Sequence, residues 1–306
     1  MSKKILFMGT PDYATRIFKE LINSSYDVIG LFTQPDKPVG RKQILTAPHV
    51  KQFCVDENLD IPIFQPEKLR GNTEVATLIK NLNPDYIIVA AYGQILPREI
   101  LDIAPCINLH ASLLPKYRGA SPIQESLLND DYFTGVTSMF MEEGLDSGDI
   151  LGLQYLKITP TMEVDVAFDK LSDIAATLTI TTLDNFENIK PLKQNEAEVS
   201  FCKKIKKEDG LVDFSSAKNL FLKYKAYSYW PGIFLASGLK LKDVELIENQ
   251  SKNIEGIILA IENDSVLIAC KKGSLKIKTI QAPSKKAINS PDYLRGQRLE
   301  KGDTLK

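Results

Sequence analysis

The chain has 306 residues and 43% of them are hydrophobic, enough for two domains with real cores. Its four scattered cysteines (Cys54, Cys106, Cys202, Cys270) show no C-x-x-C or zinc spacing, which excludes a disulfide scaffold, implies no metal and fits reduced thiols in a cytoplasmic protein. The net charge of −1 hides an asymmetry, since Phe201 to Lys306 carry 20 Lys+Arg against 12 Asp+Glu, whereas the first 200 residues hold the remaining 18 and 27.

Met1-Ser2-Lys3-Lys4 leads straight into I-L-F-M-G, far too short a run for a signal peptide or a membrane span. Apolar strands are predicted at Ile5–Met8, Val28–Thr33, Pro62–Phe64, Tyr86–Ala91 and Ile107–His110. Helical patterns at Tyr13–Ile22, His49–Glu57 and Thr73–Leu82 separate them. Fully apolar strands alternating with helices predict an α/β domain with a mostly parallel, Rossmann-like sheet covered on both faces. Gly135–Met141 and Ile150–Leu156 extend the sheet. A long helix follows at Val164–Asn188, its apolar residues Val166, Leu171, Ile174, Ala175, Leu178 and Leu183 at roughly helical spacing. The G-T-P-D turn at Gly9–Asp12 lacks both nucleotide-loop fingerprints, so Thr10 or Asp12 is read as a helix cap.

From Lys190 to Lys206 the pattern breaks, which divides the chain into a domain at 1–189, a linker at 190–206 and a second domain at 207–306. After a helix at Ser216–Ala226 come short strands at Gly232–Leu235, Leu239–Leu246, Gly256–Ile261, Ser265–Cys270 and Leu275–Gln281. Five such strands fit a small OB-like barrel, and an SH3-like barrel leaves similar traces. Leu239, Leu241, Leu275 and Ile277 face one way, and Lys240, Lys242, Lys276 and Lys278 the other. That comb suits a phosphate backbone, as does the basic balance, but solvated barrel strands look the same.

The candidate chemistry centres on one of only two histidines. Asn108 and His110 stand two apart at the carboxyl end of a strand, so they share a face where open α/β sheets bind ligands. An amide donor beside an imidazole suits a developing negative charge. Asp146, in the Gly-flanked run E-E-G-L-D-S-G-D, could orient the imidazole or simply cap its own turn. No serine or cysteine sits in a nucleophile context, so an Asn-His-Asp set points to direct transfer between two bound substrates.

The stretches N-L-H-A-S-L-L-P-K-Y-R-G-A-S-P-I-Q and T-G-V-T-S-M-F-M-E-E-G-L-D-S-G-D resemble the signature of the 10-formyltetrahydrofolate-dependent formyltransferases. Further matches are M-G-T-P-D-Y-A, F-T-Q-P-D-K-P-V-G-R, F-Q-P-E-K-L-R, A-A-Y-G-Q-I-L-P, K-K-E-D-G-L-V-D-F and W-P-G. The resemblance implies the formyltransferase fold and an enzyme acting early in protein synthesis. It would move a formyl group from 10-formyltetrahydrofolate, as co-substrate, to the α-amino group of initiator methionyl-tRNA. Asn108, His110 and Asp146 then match the catalytic trio. Ser112, Leu113, Leu114 and Pro115 match a folate-lining segment. Tyr92, Gly93, Gln94, Ile95, Leu96 and Pro97 would lie beside the pterin, mainly through backbone groups. Arg118 and Gly119 complete the loop.

By the same resemblance, Arg41 and Lys42 in the Pro35–Pro48 loop, with Lys206, would contact the tRNA, and the protein would be monomeric and free of membrane. The loop departs from its relatives by carrying fewer lysines, continuing Gln43-Ile44-Leu45-Thr46. Tyr117, Ser138, Phe140 and Tyr227-Ser228-Tyr229 are structurally tolerable departures, Trp230 is expected to pack, and His49 is read as a surface or capping residue. The alternative within the family is formylation of a nucleotide-linked amino sugar, against which stand the Arg41–Lys42 loop and the basic second domain.

Overall fold

In a computed structural model the described residues are 2–40 and 42–306, so Arg41 lies outside them. They fall into two compact units. One comprises the chain up to Pro122 with Phe133–Lys157 and Phe168–Cys202; the other comprises Ile123–Tyr132, Ile158–Ala167 and Lys203–Lys306.

The first unit opens with β1 (Lys4–Gly9), whose Ile5, Leu6, Phe7 and Met8 are all buried, as a strand covered on both faces requires. Helix α1 (Asp12–Ile22) buries Tyr13, Ala14, Ile17, Phe18 and Leu21 along one stripe. Neither Thr10 nor Asp12 caps it. Pro11 holds that position, and the Thr10 hydroxyl donates instead to the Tyr92 carbonyl at 3.0 Å. β2 (Asp27–Phe32) follows, then a hairpin of β3 (Lys37–Val39) and β4 (Ile44–Thr46). Next come α2 (His49–Asp56), β5 (Ile63–Phe64) and α3 (Thr73–Leu82). Asn72 caps α3 by accepting from Val75 N at 3.1 Å, and Asn83 closes it in the left-handed region.

β6 (Tyr86–Ala90), the short α4 (Arg98–Leu101), β7 (Cys106–His110), β8 (Arg118–Gly119) and α5 (Pro122–Leu128) lead to β9 (Phe133–Phe140) and β10 (Ile150–Lys157). α6 (Val164–Asp184) ends four residues before the expected helix does, in a 3₁₀ turn at Phe186–Asn188, and β11 (Phe201–Cys202) pairs with β8. The main sheet runs β10-β9-β7-β6-β1-β2-β5. Pairing is parallel from β7 through β5 and antiparallel at β9 and β10, so the sheet is mostly parallel, with the added strands at one edge. Chain order reverses about β1, which opens the crevice at the carboxyl ends of β1 and β6, with β7 next in line.

The second unit holds α7 (Ala217–Tyr227), capped by Ser216, and an antiparallel sheet. Its strands are β12 (Ile233–Phe234), β13 (Lys240–Lys252), β14 (Ile258–Ile261), β15 (Val266–Ala269), β16 (Lys272–Gln281) and β17 (Ile288–Asn289), followed by α8 (Ser290–Gln297). The hydrogen-bonded path of this OB-like module is β12-β13-β16-β15-β14, with β17 on β16, and these strands all pair antiparallel. Leu239, Leu241, Val244, Val266, Ile268, Leu275 and Ile277 form its buried face. Asp130 brings its segment into this unit by ion pairs to Lys218 (2.9 Å) and Lys225 (3.7 Å), and Lys218 holds the Asp130 carboxyl below its usual range. Glu163 does the same for Ile158–Ala167, accepting from the Tyr224 hydroxyl at 2.9 Å. Among the described residues, no helix is long and apolar enough to cross a membrane.

Candidate active site

The alternation of C-I-N-L-H in β7 buries Ile107 and Leu109, and the Leu109 carbonyl accepts from the Tyr13 hydroxyl at 3.1 Å. Asn108 lies beside Val89 of β6 and Met139 of β9, and His110 beside Thr137. Among the described residues the Asn108 side chain has no hydrogen-bond partner, and it is only half-buried.

His110 is 6% exposed and gripped from one side. Its Nε2 lies 2.9 Å from the Tyr117 carbonyl oxygen, which can only accept, so Nε2 carries a hydrogen. The loop that delivers this carbonyl curls back on itself. Thr137 donates to Ser112 O (2.6 Å) and accepts from Leu114 N (3.0 Å), Ser112 donates to Lys116 O (2.6 Å), and Tyr117 adopts φ +62°.

Nδ1 faces Asp146 Oδ2 at 3.7 Å, an ion contact beyond hydrogen-bonding range. The Asp146 carboxylate, 17% exposed, accepts from Gly119 N at 2.8 Å, so it spans to a second loop rather than capping its own turn. Both glycines on this path are forced. A Cβ on Gly148 would lie 2.0 Å from the Phe140 carbonyl oxygen. One on Gly119, which has φ +127°, would lie 2.2 Å from that of Cys202. Asn108, His110 and Asp146, singled out in the sequence, thus stand on β7 and on the loop after β9, with the His–Asp contact formed.

The expected folate residues divide by what their side chains do. Tyr92 is 2% exposed, burial pushes its phenol up to about 12, and its carbonyl holds Thr10. Leu96, Ser112 and Leu114 are also buried. Gln94 ties down the preceding loop, accepting from Leu69 N (3.0 Å) and donating to Pro66 O (3.2 Å). Only Ile95, 78% exposed, presents a large apolar surface, so any recognition by Tyr92–Pro97 falls mainly to the backbone. A cleft of about 560 Å³ is lined by Gln94, Ile95, Leu96, Pro97, Arg98 and Glu143 among others, but not by Asn108, His110, Asp146 or Ser112–Pro115.

Of the basic residues, Lys42 is exposed in the turn between β3 and β4, a hairpin whose Val39, Ile44 and Leu45 are exposed too. Lys206 is exposed and lies 3.9 Å from Glu208, a surface pair worth little. The lysine comb is half neutralised, because Lys276 pairs with Glu262 (2.8 Å) and Lys278 with Glu245 (2.6 Å). That leaves Lys240 and Lys242. Trp230, expected to pack, is about half exposed.

Sequence reasoning missed Gln194. The expected linker that carries it is tied to the site, since Ser200 accepts from Tyr117 N at 3.0 Å and Gln194 donates to the carbonyl oxygen of Asp146 at 2.8 Å. No periodicity or motif in P-L-K-Q-N-E signals this role.

The family model "Formyl transferase" matches residues 3–183, and "Formyl transferase, C-terminal domain" matches residues 204–298. The chain is 56% identical over 302 residues to a protein of Nitratiruptor sp. named methionyl-tRNA formyltransferase, covering 99% of each chain. In structure it is similar to an N-formyltransferase from Helicobacter canadensis in complex with folinic acid and dTDP-3-aminofucose. There the TM-score is 0.68 at 15% identity, over 92% of this chain and all of that one. It is also similar to HypX from Aquifex aeolicus in complex with tetrahydrofolic acid, with a TM-score of 0.65 at 17% identity, and spans all of this chain but about half (49%) of HypX. At such identities these two likenesses speak to fold alone.

Proposed function

This chain belongs to the methionyl-tRNA formyltransferase family, and from that membership we propose that it transfers the formyl group of 10-formyltetrahydrofolate to the α-amino group of initiator methionyl-tRNA in the cytoplasm. The observation that carries the reading is one face of β7 on which the Asn108 amide, without a partner among the described residues, stands beside His110, whose Nδ1 has Asp146 Oδ2 behind it at 3.7 Å.

The unprotonated α-amine attacks the formyl carbon, and the carbonyl π-electrons move onto oxygen. Asn108 and Nδ1–H of His110 donate to that oxyanion, where fixed dipoles act without reorganising. As the carbon–N10 bond breaks, N10 takes up a proton and the former amine loses one, a relay within reach of His110 and Asp146. Nε2–H stays on the Tyr117 carbonyl and fixes the ring. Donation from Nδ1 with Nε2–H kept on the Tyr117 carbonyl requires a hydrogen on both nitrogens, so in this scheme His110 acts as an imidazolium. The co-substrate's pterin lies along Tyr92–Pro97, with Ser112–Pro115 shaping the wall. Residues 1–189 carry this chemistry. Residues 207–306 hold the acceptor through phosphate contacts, joined by Lys206, Arg41 and Lys42. The active species is a monomer.

One assay tests the proposal. The protein is given 10-formyltetrahydrofolate with charged initiator tRNA or with a nucleotide-linked amino sugar, across a salt series. Formylation of the tRNA alone, weakening as salt rises, is expected. Formylation of the sugar alone, or tRNA turnover indifferent to salt, would overturn the acceptor assignment.

A further inference from the structure

We infer that Gln194 is a positioning residue for this reaction, one that sets Asp146 against the His110 ring. The inference rests on the roles proposed above for Asp146 and His110. Gln194 lies in a stretch with no regular secondary structure, yet it is only 9% exposed and every hydrogen-bonding position of its amide is filled.

Its Nε2 donates to the carbonyl oxygens of Asp146 and Gly148, both at 2.8 Å. Its Oε1 accepts from Arg118 Nε at 3.0 Å and Nη2 at 2.8 Å. Arg118 is itself buried, and its remaining contact is with the exposed Glu196 carboxylate at 2.8 Å. Its two neighbours along the chain hold the site from the other side. The Tyr117 carbonyl holds His110 Nε2, and Gly119 N holds Asp146 Oδ2. A single amide therefore fastens the loop carrying Asp146 to the loop that fixes His110. Asp146 adopts φ +49°, in the left-handed region that aspartate tolerates better than most residues with a side chain. Only an amide of this length supplies two donors toward one loop and an acceptor toward the other.

Gln194→Glu separates these duties. The carboxylate can still accept from Arg118, but it cannot donate to the two carbonyl oxygens and repels them. We expect kcat to fall about 10–100-fold, the scale of small misplacements in a catalytic set, with both KM values changed less than about threefold. The thermal midpoint should fall as well, since two buried carbonyl oxygens lose their donors. Gln194→Met, which keeps the length without charge or donors, should behave alike and serves if the glutamate variant does not fold. The decisive comparison is a double-mutant cycle with Asp146→Asn. If Gln194 acts through Asp146, its substitution costs little further activity once the Asp146 charge is gone. A purely structural role would lower activity equally in both backgrounds. Parental kcat in both Gln194 variants, or full additivity, overturns the inference. Full activity of Asp146→Asn alone would instead overturn the catalytic reading beneath it.

Discussion

Replacing His110 by alanine is expected to lower kcat/KM for formyl transfer by about 10²- to 10⁴-fold, through kcat rather than KM, while the protein stays folded. The substitution removes the Nδ1 donor to the oxyanion and the proton relay together. The fold tolerates it because the Tyr117 carbonyl, which loses Nε2, keeps the contact from Cys202 Sγ at 3.4 Å, and because Thr137 and Ser112 hold the loop independently. The lost hydrogen bond costs about 1–3 kcal/mol of stability. Steady-state kinetics at saturating donor and acceptor, with a thermal melt alongside, check both halves. Turnover within a few-fold of the parent would remove His110 from the mechanism.

Asp146→Asn is expected to lower kcat by about 10²- to 10⁴-fold for a different reason. The asparagine keeps the volume and can keep the bond from Gly119 N through its carbonyl oxygen. The atom facing His110 Nδ1 is then that same oxygen, now part of a neutral amide, so the negative charge opposite Nδ1 is lost. Nε2–H stays on the Tyr117 carbonyl, and Nδ1 donates to the oxyanion without a carboxylate behind it. KM for either substrate should change little. A variant retaining more than a tenth of the parent kcat would contradict the role given to the carboxylate.

Much of this was legible before any coordinates, because the informative patterns are local. Four consecutive buried residues in β1 announce a strand covered on both faces, and the two-residue step from Asn108 to His110 puts both on one face whatever the details. What stayed hidden depends on pairing across long separations. The lysines of β16 read as a comb, yet Glu262 and Glu245 reach two of them, and one strand's sequence does not contain its neighbour's register. The β3–β4 hairpin is exposed on both faces, so its three-residue strands leave no buried alternation to detect. Asp130 and Glu163 sit among residues that read as part of the first domain, and only their partners in α7 assign them to the second unit. Gln194 is the extreme case. Its significance lies in two carbonyl oxygens 46 and 48 residues away, within a polar run indistinguishable from a tether.

Asn108 and His110 are expected to bind the charged, tetrahedral arrangement better than either substrate. The most direct measurement is the affinity of a stable mimic in which a tetrahedral, anionic carbon joins the folate nitrogen to an amine, compared with that of unreactive tetrahydrofolate. His110→Ala should weaken the mimic by at least about 100-fold and tetrahydrofolate by less than about threefold. Equal weakening of both ligands would show that His110 holds the substrate rather than the passing charge, and would contradict the account.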